Sequence, residues 1–151
     1  MSESLRQLIA DTQATFKADP SKALATFESR SGLIDGFHTK ATLRHHTVTV
    51  DEPASLGGTD HGPNPVELIL AALGTCQEIT YRAYATALGI PLANVSVKLE
   101  GEIDLRGFFA VDPSVRPGYR GIRGTVTLES SADDATLKKL MEMAVGRVGG
   151  K

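Results

Sequence analysis

Residues 64–91, NPVELILAALGTCQEITYRAYATALGIP, contain one long helix with both ends marked. Asn64 can cap the start, Pro65 suits the first helical position, and Glu67 stands where a capping-box acid belongs. Gly89 follows the last helical residue and Pro91 forbids continuation. The helix therefore runs from Pro65 to Leu88, about 36 Å at 1.5 Å per residue. Between Val66 and Leu73 only Glu67 is polar. A helix apolar all round is a buried one, so this half is expected inside the protein.

Outward from that helix the pattern changes to short strands. Upstream, Leu5, Leu8, Ile9, Thr12 and Phe16 recur at helical spacing, predicting an amphipathic helix over Glu3–Lys17 that Asp19-Pro20 ends. Ala23–Arg30 reads as a modest strand. Asp35-Gly36 is a turn signal, after which Phe37, Thr39, Ala41 and Leu43 alternate with polar residues. Beyond Arg44 the apolar phase flips to Val48 and Val50, which requires a bulge or a turn at Arg44-His45-His46. Residues 51–63, DEPASLGGTDHGP, form a loop. Downstream, Val95–Leu105 alternates cleanly as a strand, Arg106–Tyr119 is a loop, and Ile122, Val126 and Leu128 mark a partner strand. Ser131 and Asp134 suggest a capping box for a last helix with Leu137, Leu140, Met141 and Ala144 inside. The fold class is α+β: one domain over residues 1–151, its first 20 residues a helical segment, with antiparallel sheet wrapped against a long central helix.

Composition narrows the function. In a chain of 151 residues with a net charge of −2 nothing suggests a nucleic-acid or anionic-membrane partner. No run of about 18 apolar residues predicts a membrane span. The single cysteine, Cys76, excludes an internal disulfide and fits a reducing cytoplasm. Tryptophan is absent and aromatics make up 5%, so the core must be aliphatic and alanine-rich.

The segment Gly57–Thr80, with its Asn64-Pro65-Val66-Glu67-Leu68 start and a cysteine twelve residues after Asn64, resembles the OsmC/Ohr family of hydroperoxide-resistance proteins, in particular its OsmC-like branch. The resemblance covers Ala23–Val145. It implies an intertwined homodimer with the cysteine-bearing helices packed centrally. It also implies reduction of organic hydroperoxides by a reactive cysteine, held as thiolate by an Arg and a Glu and resolved by a second cysteine. No cofactor is implied. Two features depart from the family pattern. The tail Gly146–Lys151 lacks the resolving cysteine, and the family's final strand is missing. Val66 stands where the family's Glu follows the Asn-Pro pair, which leaves Glu67 100° away round the helix.

Each candidate residue carries two readings. Cys76 is a peroxidatic nucleophile or a small buried hydrophobe; its apolar helical neighbours favour burial. Arg44 is the first choice for the cation beside it, and otherwise a solvent-facing arginine at a strand end; Arg120 and Arg123 come after it. Glu67 pairs with such an arginine or simply caps the helix, and it lies nine residues from Cys76, on the opposite face of a straight helix. Glu78 and Arg82, four apart, read as an ion pair. Gly74 weakens the helix unless it packs closely on another helix or marks a kink. His45 and His46 point to opposite strand faces and do not make a metal site with His61. Gly57, Gly58 and Gly62 lack the Lys-Ser/Thr of a phosphate loop. Two functions follow. One is a hydroperoxide reductase whose sulfenic acid is resolved by an external thiol or a partner protein. The other is a non-catalytic protein holding a small lipophilic ligand at the dimer interface.

Overall fold

A computed structural model describes residues 3–147. Helix α1 spans Glu3–Ala18, and Asp19 then caps a 3-10 turn over Pro20–Ala23, accepting from the Ser21 amide at 3.1 Å. Strands β1 (Arg30–Asp35), β2 (His38–Leu43) and β3 (His46–Val50) follow. After a loop come helix α2 (Pro65–Leu88), strand β4 (Asn94–Ile103), a single helical turn α3 (Leu105–Phe108), strand β5 (Tyr119–Glu129) and helix α4 (Asp134–Val145). The order and the antiparallel pairing agree with the sequence reading. Among the described residues no helix is long and apolar enough to cross a membrane.

The chain divides into two compact units, one of residues 10–71 and one of residues 1–9 with 72–151. The first holds the antiparallel sheet β1-β2-β3. Its second hairpin resolves the phase flip. Leu43 pairs with His46 across the two-residue turn Arg44-His45, so odd-numbered Thr39 and Ala41 stand opposite even-numbered Val50 and Val48. Facing residues share a face, and the apolar set stays together although its parity changes. The strand expected at Ala23–Arg30 begins instead at Arg30, because β2 offers pairing only for residues 30–35. Leu24 and Phe27 are left out of it, largely open to solvent.

The second unit holds the hairpin β4-β5 and helix α4. Its core is a cluster of Tyr81, Ala85, Ile90, Leu92, Leu140 and Ala144, with Val95, Val126, Leu128 and Leu137 packed against it. Strand β4 stops two residues before the expected Leu105, because Asp104 turns to cap α3 and accepts from the Arg106 amide at 3.1 Å. The last helix is capped by Asp133 rather than by Ser131 with Asp134: its carboxylate accepts from the Thr136 amide at 2.8 Å. Met141, expected inside, is 44% exposed, while Leu140 and Ala144 fill the inner line.

Helix α2 has the predicted limits, and its burial corrects the prediction. Its buried residues are Gly74, Tyr81, Ala85 and Thr86. From Val66 to Leu73 half-buried and exposed positions mix, with Ile69 open. One stripe of the helix meets the core of a single chain, so a segment apolar all round has a face left uncovered.

Candidate functional site

The loop into α2 is built around a carboxylate. Asp51 is buried and accepts from the Glu52 amide (2.8 Å), the Thr59 hydroxyl (2.6 Å), the Thr59 amide and the His61 amide (both 3.2 Å). The Thr59 hydroxyl foremost, and then the His61, Glu52 and Thr59 amides, hold its carboxyl far below the usual carboxylate range against the opposing effect of burial. The Asp51 amide donates to the Pro63 carbonyl at 3.3 Å and closes the loop on itself. Gly58 and Gly62 are required by close approach. A Cβ at Gly58 would overlap the Glu52 carbonyl, and one at Gly62 the Thr49 carbonyl. His61 stacks on His38 with ring centroids 4.8 Å apart, and its Nδ1 lies 3.5 Å from Asp51. Among the described residues no group of three or more His, Cys, Asp and Glu is placed to hold a metal ion.

This loop delivers the chain to a reciprocal cap. Asn64 Oδ1 accepts from the Glu67 amide and Glu67 Oε2 from the Asn64 amide, both at 2.9 Å. The Glu67 carboxylate is thus engaged at the helix start.

Cys76 is exposed, against the expectation of burial. The helical repeat explains it. Gly74, Glu78, Tyr81 and Ala85 share one face, and that face meets the rest of the unit. A Cβ on Gly74 would lie 3.7 Å from Leu99 Cδ1 and 3.9 Å from Val97 Cγ1, both of β4. The packing partner of Gly74 is therefore a strand, where another helix or a kink was expected. Two residues on, about 200° round, Cys76 points the opposite way. Ala72 and Ile79 flank it on that outward side, Ile79 with 70% of its surface exposed.

Glu78 and Arg82 do not form the expected ion pair. Glu78 Oε1 accepts from the Val97 amide at 3.2 Å, and the Arg82 guanidinium donates to the carbonyls of Leu92 (2.5 Å) and Ala93 (3.2 Å). Unpaired backbone groups beside β4 are better partners for half-buried charges than a solvated neighbour one turn away.

Arg44 lies at the tip of the β2-β3 hairpin with φ +57°, a left-handed conformation uncommon outside glycine. It lines an open groove of about 780 Å³ with Phe27, Arg30, Leu43 and His46. Arg123 pairs with Glu100 at 3.1 Å. Arg44 and Glu67 thus belong to one unit and Cys76 to the other. Asp51 went unrecognised in the sequence reading. The signal for it is slight, an acid at a strand end followed by a Gly-rich loop with Thr59 and His61.

A family model described as OsmC-like protein matches residues 58–147. Among solved structures, an OsmC-like protein from Mycoplasma pneumoniae superposes with a TM-score of 0.70 at 17% identity, covering 83% of this chain and 84% of that one. An organic hydroperoxide resistance protein OsmC from Legionella pneumophila gives 0.63 at 19% identity (83% and 86%). An organic hydroperoxide resistance protein from Elizabethkingia anophelis gives 0.61 at 17% (83% and 84%). A search of curated proteins finds no match.

Proposed function

The chain belongs to the OsmC-like family, and on that premise we propose that it reduces organic hydroperoxides with Cys76 as the nucleophile. The observation that carries this reading is the presentation of Cys76: an exposed thiol on a helix face flanked by Ala72 and Ile79. That surface suits an alkyl group beside a sulfur nucleophile. The names of the Legionella and Elizabethkingia structures point the same way.

The Cys76 thiolate attacks the terminal oxygen of R–O–O–H. The O–O bond breaks, the alkoxide takes up a proton and leaves as alcohol, and Cys76 becomes a sulfenic acid. With one cysteine in 151 residues, an external thiol condenses with the sulfenic acid, forming S–S and releasing water. A second equivalent restores the Cys76 thiol and leaves as disulfide. Arg44 is the cation we assign to the thiolate, supplied at the seam between two copies of the chain. Arg44 is exposed at the hairpin tip, where its left-handed φ is what the two-residue turn requires. Glu67 we assign to the helix cap.

Two copies are part of the proposal because large apolar side chains lie open in one. Phe27 is 91% and Leu33 75% exposed, with Ile34, Ile69 and Ile79 also uncovered. Light scattering at micromolar concentration is expected to give twice the chain mass; the mass of one chain contradicts the homodimer.

Steady-state consumption of tert-butyl hydroperoxide with dithiothreitol as donor tests the activity. Turnover that is lost in Cys76→Ser and falls in Arg44→Gln supports it. Turnover equal to the no-protein rate rejects it. The engagement of Glu67 in its cap favours a second reading, a non-catalytic protein that holds a lipophilic ligand. Absent turnover together with saturable binding of a lipophilic fluorophore would establish that one.

A further inference from the structure

Three contacts hold α2 against β4 and the segment that leads into it, within one unit. Gly74 lies against Leu99 and Val97, Glu78 accepts the Val97 amide, and Arg82 donates to the Leu92 and Ala93 carbonyls. They recur every four residues, so they describe a line along one side of the helix. Gly74 makes an ordinary van der Waals contact that tolerates sliding, and the packing of Tyr81 and Ala85 farther along the same face is non-directional. A half-buried carboxylate on a backbone N–H, with a guanidinium forked over two carbonyls, is directional and charge-assisted. Strand β4 pairs with β5 through its other edge. The Val97 amide therefore has a single register in which a helix side chain reaches it.

We infer that Glu78 and Arg82 are positioning residues that fix the rotation of α2 about its own axis and so the direction in which Cys76 is presented. The inference rests on the hydroperoxide reading for its functional meaning. Glu78 is two residues from Cys76, so a rotation at one is transmitted to the other through a single half-turn of helix. Rotation by one residue's worth, 100°, would exchange the outward thiol for its neighbours Thr75 or Gln77. The clamp also explains why two charged residues sit on the inner side of the helix beside Gly74, Tyr81 and Ala85.

The test compares wild type with Glu78→Ala, Glu78→Gln and Arg82→Lys. Three quantities are read in each: the rate of Cys76 alkylation by iodoacetamide, hydrogen exchange at the Val97 amide, and hydroperoxide consumption. Glu78→Ala is expected to speed Val97 exchange and slow alkylation about tenfold. Glu78→Gln keeps an acceptor oxygen and should restore most of that rate, while Arg82→Lys, which loses the fork, falls between. Faster Val97 exchange with unchanged alkylation in Glu78→Ala overturns the inference. So does failure of Glu78→Gln to restore the rate while its Val97 amide is protected as in wild type. A wild type that alkylates as expected, with the variants in the predicted order, but consumes no hydroperoxide leaves the clamp standing and rejects the proposed activity. If Glu78→Ala does not fold, the Gln and Lys variants alone decide: both indistinguishable from wild type in alkylation would overturn the clamp.

Discussion

The two units of this chain are held together by different physics. Residues 72–147 surround a hydrocarbon cluster in which Tyr81, Ala85, Leu140 and Ala144 lose all contact with solvent. Residues 10–71 have one buried apolar side chain, Val50, and beside it the buried carboxylate of Asp51. The unit of β4, β5 and α4 is stabilised chiefly by area removed from water, which is non-directional and tolerant of detail. The unit of β1, β2 and β3 depends on a small set of directional bonds around one charge, while Leu24, Phe27, Leu33, Ile34 and Phe37 stay open. The unit carrying Arg44 and the helix cap thus leaves its large apolar side chains open, whereas the unit carrying Cys76 has a hydrocarbon core of its own.

Three substitutions sharpen that contrast. Leu140→Ala empties the centre of the hydrocarbon cluster and should cost about 2–5 kcal/mol in denaturant unfolding. Asp51→Asn should cost less in magnitude but change how stability depends on pH. The folded carboxyl titrates below its unfolded value of about 3.9, so its contribution is complete above that pH and is lost as pH falls through the folded value. Removing the charge should therefore lower the unfolding midpoint at pH 7 and flatten its decline below pH about 4. An unchanged acid slope would remove Asp51 from the account. Leu33→Ala should be the mildest, within about 0.5 kcal/mol for the dilute single chain, because its side chain is 75% exposed there. It should instead weaken association of two copies. If Leu33→Ala unfolds the dilute chain as strongly as Leu140→Ala, the contrast between the units is wrong.

Much of the fold was legible because its signals are local. Helix α2 was bounded correctly by Asn64, Pro65, Gly89 and Pro91, and the phase flip at Arg44 marked a real two-residue turn. Caps of the shorter helices were harder: Asp133 and Ser131 are both good capping residues, and the choice depends on where the chain enters from β5. The beginning of β1 was misplaced because strand limits are set by a partner's length, which composition does not carry. At the site, Cys76 was found as the lone cysteine, but its exposure was not. Apolar neighbours predict burial only when something covers every side of the helix. Glu78 and Arg82 were seen as a pair by spacing, and the partners that separate them, the Val97 amide of β4 and the Leu92 and Ala93 carbonyls just before it, come beside the helix only in the folded chain. The sequence reading of the tail beyond residue 147, a missing resolving cysteine and final strand, lies outside the described residues.

The claim on which the functional account turns is that Cys76 itself meets the peroxide. Intact mass of the wild-type protein after brief exposure to tert-butyl hydroperoxide with dimedone present tests it directly. The expected result is one dimedone adduct per chain, mapped to Cys76 and abolished by prior alkylation of that thiol. An unmodified mass after an hour at millimolar hydroperoxide, with Cys76 still open to iodoacetamide, would contradict it.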